Sequence, residues 1–387
     1  MLTPSTPGPP EPSTLGALEG VELRRVRLPL VAPWHTPIGS VSTRDALLVR
    51  TVFAGAEGWG ECVAMGDPGY SAEYVEGAAD VLRRHLLWRL GGPDPLPAAA
   101  DVAARLAPVK GHPMAKAAIE AAVLDAECRA AGRSLAARLG ATRSRVTAGV
   151  AVGVTGSVAA LVEEVDRRVA EGYRRVKLKV RPGWDVEPVA AVRAAHPDLA
   201  LQVDANGSYA AAPGRVLALD GFGLLLIEQP LADDDLVGHA ELAVRVRTPL
   251  CLDESITSAA AARAALALGA CRVINIKAGR VGGYLEAVRV HDVCRERGVA
   301  VWCGGMLETG VGRAANLALA ALDAFSLPGD LSASDRFYAE DLTEPIRLND
   351  DGTIDVPTGP GSGAEINPRR LAASTVSTEW HPLRSSP

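Results

Sequence analysis

The sequence predicts an α/β barrel, (β/α)8-like in outline, preceded by a smaller α+β domain, and three observations predict it. From about residue 145, short apolar runs alternate with helical stretches: VTAGVAVGV, RRVKLKV, LALQVDA, GLLLIEQP, TPLCLDE, CRVINIKA and VAVWCGG. Near-continuous apolar strands separated by helices are what a parallel sheet covered on both faces requires. A polar residue closes five successive runs at an even interval, since Lys179, Asp204, Glu228, Asp253 and Lys277 follow one another at steps of 25, 24, 25 and 24 residues. Each step is one βα unit. Before about residue 140 strand-like runs come first and helices after them, the order of an α+β domain.

Taken in order, the first 17 residues, MLTPSTPGPPEPSTLGA, are rich in Pro, Ser and Thr and lack the basic and apolar regions of a signal peptide. Residues 1–18 are expected as a disordered tail, and the protein in the cytoplasm. GVELRRVRLPLV, ALLVRTVFAG and GWGECVAM read as a small antiparallel sheet. SAEYVEGAADVLRRHLL reads as a helix with Ser71 as its N-cap, and MAKAAIEAAVLDAECRAAG as a second that stops at Gly132. The barrel runs follow from residue 141. A chain of 387 residues, 48% of them hydrophobic, has material for two such domains. Its net charge of -6 offers nucleic acid or anionic lipid no general attraction, and no run of about 18 apolar residues would span a membrane. Cys62, Cys128, Cys251, Cys271, Cys294 and Cys303 show no CxxC spacing, mostly sit in apolar segments and read as reduced core residues.

In a closed barrel the C-terminal strand ends share one mouth. Lys177 and Lys179 alternate with Val176, Leu178 and Val180, so both lysines point to one face of their strand. With Asp204, Glu228, Asp253 and Lys277 they would face a common cavity. A doubly wound open sheet is the alternative, but it spreads these ends along a line and two lysines could not flank one site. Three carboxylates on adjacent strands form a hard, all-oxygen set that suits Mg²⁺, and the lack of Cys and His at these positions argues against zinc. A divalent cation there can bind a substrate carboxylate and stabilise the enediolate formed when the α-proton leaves. Lysine is a base only when neutral, and its ordinary pKa is about 10.4. Lys177 beside Lys179, the metal, and Arg280 three residues after Lys277 are expected to depress it. Lys179 and Lys277, from opposite sides of the metal set, can reach the two faces of one planar enediolate. The working hypothesis for Arg280 is that it keeps Lys277 competent as a base.

The K-x-K pair, the Asp/Glu/Asp set and the sixth-strand lysine resemble the enolase superfamily, muconate-lactonizing subgroup, a known instance of a lysine base working beside Mg²⁺. Longer stretches narrow the resemblance: GWGECVAM, VKLKVRPGWDVEPV, LLLIEQPLADDDLVGHAEL, TPLCLDES, NIKAGRVGGYLEA, VWCGGMLETGVGRAANLALAAL and LPGDLSASDRFY. They are similar to the o-succinylbenzoate synthase / N-succinylamino acid racemase family, also called N-acylamino acid racemases, over roughly residues 20–370.

The resemblance implies a modified TIM barrel, (β/α)7β, over 141–345, with 19–140 as an α+β capping domain, 346–370 packing back on the cap and 371–387 a tail. It implies Mg²⁺ on Asp204, Glu228 and Asp253, with Mn²⁺ or Co²⁺ as substitutes. Lys179 and Lys277 become the acid/base pair, and Lys177 contacts the substrate carboxylate or tunes Lys179. The substrate set is Trp34, His35 and Ile38 from one cap loop, Met65 from another, and Asn206, Gly305, Met306 and Leu307 from the barrel. The implied substrates are small carboxylates and the implied assembly a homo-oligomer, dimer to octamer. The implied reactions are racemisation of N-acyl (N-succinyl) amino acids and syn dehydration of 2-succinyl-6-hydroxy-2,4-cyclohexadiene-1-carboxylate to o-succinylbenzoate. Another reaction of the subgroup, muconate cycloisomerisation or dipeptide epimerisation, and a non-catalytic metal-binding barrel stay as alternatives. GDLSASD lacks the D-x-D of dipeptide epimerases, and VAVWCGG lacks the histidine of the mandelate-racemase-like branch. GVGRAA does not directly follow a strand and is not read as a dinucleotide loop.

Overall fold

The computed structural model describes residues 15–37, 39–91, 96 and 98–383. Residues 1–14 of the expected N-terminal tail fall outside these, and Leu18 already opens the first strand. Strands β1 (Leu18–Thr36), β2 (Gly39–Phe53) and β3 (Ala56–Cys62) form an antiparallel meander. Alternation along β1 sends Val21 and Leu23 to the main core and Val26 and Leu28 to a second cluster with Tyr338, Leu342 and Leu371. The sheet is therefore covered on both faces. Helix Pro113–Ala130 lies against β3, and Gly58 makes the close approach possible: a Cβ there would strike the backbone of Ala122 and Ala126. As expected this helix ends just before Gly132, whose φ of 61° is the left-handed stop.

Ser71 is not the N-cap of the preceding helix, which begins at Val75. Residues 66–72 form turns and bends, Tyr74 is extended and bridged to Met65, and Glu73 is committed elsewhere, accepting from Met114 N and Ala115 N at 2.7 and 3.1 Å to start helix Pro113–Ala130.

After β4 (Arg145–Thr147) come seven parallel strands: β5 (Gly149–Val152), β6 (Arg175–Lys179), β7 (Ala200–Asp204), β8 (Ile227–Glu228), β9 (Leu250–Leu252), β10 (Val273–Ile276) and β11 (Ala300–Cys303). They pair in strict sequence order, which excludes the doubly wound alternative. The segment Leu327–Leu331 closes the barrel as an irregular eighth stave. Asp330 N donates to Cys303 O at 2.9 Å, Gly149 N donates to Gly329 O at 2.7 Å, and Ala148 bridges Gly329 in parallel. Pro328 has no N–H to give, so no regular ladder forms there.

Beyond the barrel, β12 (Thr353–Asp355) pairs with β4. The segment then touches the cap, with Ser362 N donating to Asp125 Oδ1 at 2.6 Å and Arg129 paired with Glu365 at 2.9 Å. The expected tail at 371–387 is corrected. Its first residues finish helix Pro368–Ser374, and β13 (Thr375–Pro382) adds an antiparallel edge strand to β1. The free edge of β1 supplied a partner that TVSTEWHP could not reveal alone, and Trp380 lies where a side chain on Gly20 would collide with it. All six cysteines are buried and unbridged.

Candidate active site

Strand β6 aims Arg175, Lys177 and Lys179 into the barrel, and all three are buried. Register then sets Lys179 beside Asp204 and Asp204 beside Glu228, while Asp253 and Lys277 stand just past the ends of β9 and β10. β6 is the second stave and β10 the sixth of eight, so Lys179 and Lys277 lie across the mouth from each other with the three carboxylates on the staves between them.

Lys179 Nζ donates to Asp204 Oδ2 at 2.6 Å and to Asn206 Oδ1 at 2.7 Å. Lys277 Nζ donates to Asp253 Oδ2 at 2.6 Å and to the Tyr70 hydroxyl at 2.9 Å. Lys177 Nζ meets three carboxylates: Asp330 at 2.6 Å, Glu228 at 2.9 Å and Asp204 at 3.2 Å. Arg280 donates to Glu254 O, stands 3.7 Å from Asp253 Oδ1 and lies 5.4 Å over the Tyr70 ring. Asn206 and Gln229 hold φ of 43° and 37°, left-handed values that cost energy in non-glycine residues and cluster at functional sites.

Burial works against every charge here, and neighbours decide the outcome. For Asp204 burial is overcome by Lys179 and Lys177, which hold the carboxyl well below its usual range. For Glu228 burial and the adjacent Asp204 together push the carboxyl up to about 8 against the pull of Lys177. Lys177, expected as the neighbour that lowers Lys179, and Lys277, expected to be lowered itself, are both shifted the other way. Burial lowers each, but Asp330, Glu228 and Asp204 around the first, and Asp253 with Tyr70 beside the second, hold both ammonium groups well above ordinary lysine. The cause is contact: each ammonium sits 2.6 Å from a carboxylate oxygen.

The donor set fits a divalent cation. Asp204, Glu228 and Asp253 are each at most 1% exposed, they offer only hard oxygen, and Asp253 Oδ1 and Glu254 Oε2 are buried without a hydrogen-bond donor among the described residues. As the side chains stand, no three such donors among the described residues converge at ligand spacing, because their oxygens are turned to the lysines.

Above the lysines opens a cavity of about 390 Å³. Of the expected substrate residues, Trp34, Met65, Asn206, Gly305, Met306 and Leu307 line it, together with Lys177, Lys179 and Lys277. His35 does not. Strand alternation turns it away from Trp34, and its Nδ1 pairs with Ser40 Oγ at 2.6 Å. Ile38 lies outside the described residues. Trp34 meets Phe337 edge-on at 5.9 Å and lies 5.5 Å from the Arg336 guanidinium, which seats the β1–β2 hairpin on the barrel.

Sequence reasoning missed Tyr70, Asp330 and Glu254. Tyr70 arrives from the cap, 183 residues away in sequence from Asp253, and no local pattern marks it. Glu254 follows the last residue of β9 by two, where strand alternation no longer assigns a face. Asp330 had a readable signal: Arg175, Lys177 and Lys179 share one face, and three buried cations require an anion beyond those a metal would claim.

The comparisons agree with this geometry. Residues 19–140 match the family described as "Mandelate racemase / muconate lactonizing enzyme, N-terminal domain", and residues 160–370 match "Enolase C-terminal domain-like". The chain is 56% identical over 365 residues to an N-succinylamino acid racemase of an Amycolatopsis species, covering 94% of this chain and 99% of that protein. It is 46% identical over 360 residues to the o-succinylbenzoate synthase of Geobacillus kaustophilus, covering 92% and 96%. A solved enolase-superfamily structure from Listeria innocua superposes with a TM-score of 0.91 at 38% identity, covering 95% of this chain and all of that one. No helix among the described residues is long and apolar enough to cross a membrane.

Proposed function

The chain belongs to the o-succinylbenzoate synthase / N-succinylamino acid racemase family of the enolase superfamily, and we propose that it performs the family's α-proton chemistry with Lys179 and Lys277 as its acid/base pair and Mg²⁺ held by Asp204, Glu228 and Asp253. It is an enzyme that removes the proton α to a carboxylate, in racemising N-succinyl amino acids, in forming o-succinylbenzoate by syn dehydration, or in both. The observation that carries the assignment of the two lysines is their opposition across the barrel mouth, each at the floor of the same cavity.

The bound cation would neutralise the substrate carboxylate and stabilise the negative charge that develops on it as the proton leaves. The protein does the rest. One lysine takes the α-proton from its face, and the opposite lysine returns a proton to the other face, which inverts the centre. In the syn dehydration one lysine suffices, first as base and then, as ammonium, as acid toward the departing hydroxyl. Asn206 holds Lys179 through its side-chain carbonyl while its amide donates to Glu254 Oε1 at 2.8 Å, giving the lysine a second acceptor beside Asp204. Lys177 stays charged and faces the substrate carboxylate. An N-succinyl amino acid is a dianion, and Lys177, Lys179, Lys277 and Arg313 line the cavity that would receive it.

The test is metal removal. Purified protein racemises N-succinyl-phenylalanine, loses at least 99% of the activity in EDTA and recovers it with excess Mg²⁺. Full activity in EDTA contradicts the proposal.

A further inference from the structure

Of the three buried lysines, Lys177 differs in one respect. The ion pairs of Lys179 and Lys277 among the described residues run only to Asp204 and Asp253, both assigned to the metal. Lys177 has a carboxylate of its own: Asp330 Oδ2 lies 2.6 Å from its Nζ, nearer than Glu228 at 2.9 Å or Asp204 at 3.2 Å. That carboxylate is itself held. Asp330 Oδ1 accepts from Arg175 Nη1 at 2.6 Å, and Arg175, fully buried, donates its Nη2 to Pro328 O at 2.7 Å and stacks 5.4 Å from the Trp302 ring. Gly149 leaves the space for the guanidinium, since a Cβ there would collide with it. Arg175 thus fixes one oxygen of Asp330 and leaves the other turned to Lys177.

From this arrangement we propose that Asp330, anchored by Arg175, is a positioning residue that retains Lys177 and so frees Asp204 and Glu228 for the divalent cation. The proposal rests on the metal assignment above. A buried ammonium needs an anionic partner, because stripping one away leaves an uncompensated charge. Without Asp330 the remaining carboxylates within reach of Lys177 are two metal ligands, and its ammonium competes with the cation for both. With Asp330 in place, Lys177 keeps a partner when the cation takes the other two.

Calorimetric titration of the full chain with Mg²⁺ alone, with no substrate present, tests it. Asp330→Asn is expected to raise the Mg²⁺ Kd at least tenfold, Lys177→Met to leave it unchanged or lower it, and Lys177→Met combined with Asp330→Asn to return it to within about threefold of wild type, since the competitor is gone. A purely structural role for Asp330 would give no such rescue. Asp330→Asn leaves Arg175 unpaired, so Arg175→Met with Asp330→Asn serves where the single variant does not fold, and the same rise in Kd is expected. An unchanged Kd in the Asp330 variants, or a double variant with Lys177→Met that stays weak, overturns the proposal while leaving the metal assignment standing. A wild-type protein that binds no Mg²⁺ overturns the assignment and the proposal with it.

Discussion

Asp253 is shared by three groups: Lys277 and the Tyr70 hydroxyl approach Oδ2 at 2.6 and 3.1 Å, and Arg280 approaches Oδ1 at 3.7 Å. A carboxylate divided in this way holds Lys277 less firmly than one committed to it, which is the physical content of a role for Arg280 as a positioning residue. Arg280→Met leaves Asp253 to Lys277 and Tyr70. We expect deuterium exchange in D₂O to fall at least tenfold for the N-succinyl-phenylalanine enantiomer that Lys277 deprotonates, with the other enantiomer much less affected. Unchanged exchange from both enantiomers would remove Arg280 from the account. Residues of this kind differ in how far the sequence discloses them. Lys179, Asp204 and Glu228 end barrel strands and Asp253 and Lys277 stand one residue past theirs, and the fixed length of a βα unit makes them legible as an evenly spaced series. Tyr70 depends on where a cap loop lands, and Asp330 on a stave too irregular to show strand periodicity.

At the scale of elements, two glutamates of the cap start helices of the barrel. Glu61, on β3, accepts from Thr309 N at 3.1 Å and Gly312 N at 3.2 Å at the head of helix Gly310–Ala320. Glu120, in helix Pro113–Ala130, accepts from Leu285 N at 3.0 Å at the head of helix Tyr284–Glu296. Burial pushes both carboxyls up to about 7, against Arg44 and Thr309 for Glu61 and against the amides of Leu285 and Tyr284 for Glu120. A folded-state pKa above the unfolded value means that the native state binds the extra proton. The contribution is whole below about 4.5 and is lost as pH rises through about 7. Each group then subtracts up to about 1.4 kcal/mol of stability per pH unit inside that window. Glu120→Gln keeps an acceptor for Leu285 N and cannot ionise. Urea unfolding at pH 5, 6 and 7 is expected to show a shallower loss of stability in the variant than in wild type, and identical slopes would place the ionisation of Glu120 outside the unfolding equilibrium. The sequence offered no sign of these contacts, because a glutamate inside an amphipathic segment looks the same whether it faces water or the head of another helix.

For the whole molecule, the division into a sheet-and-helix cap and a barrel follows from the order of apolar runs along the chain, and the sequential strand order follows from the short right-handed βα connections. Two features escaped that reasoning for one reason. The closing stave at Leu327–Leu331 and the edge strand Thr375–Pro382 are both defined by partners distant in sequence, Ala148–Gly149 for the first and β1 for the second, and a segment read alone does not name its partner. The same long-range closure lets one cavity combine Trp34, Met65 and Tyr70 of the cap with the lysines of the barrel. Its central consequence is that Lys179 and Lys277 act from opposite faces of one substrate. Lys179→Ala and Lys277→Ala, each shown by calorimetry to bind Mg²⁺ within about threefold of wild type, measure this most directly when α-proton exchange in D₂O is followed separately for the two enantiomers of N-succinyl-phenylalanine. The account predicts that neither variant racemises and that each loses exchange of a different enantiomer; loss of the same enantiomer in both, or racemisation by either, would contradict it.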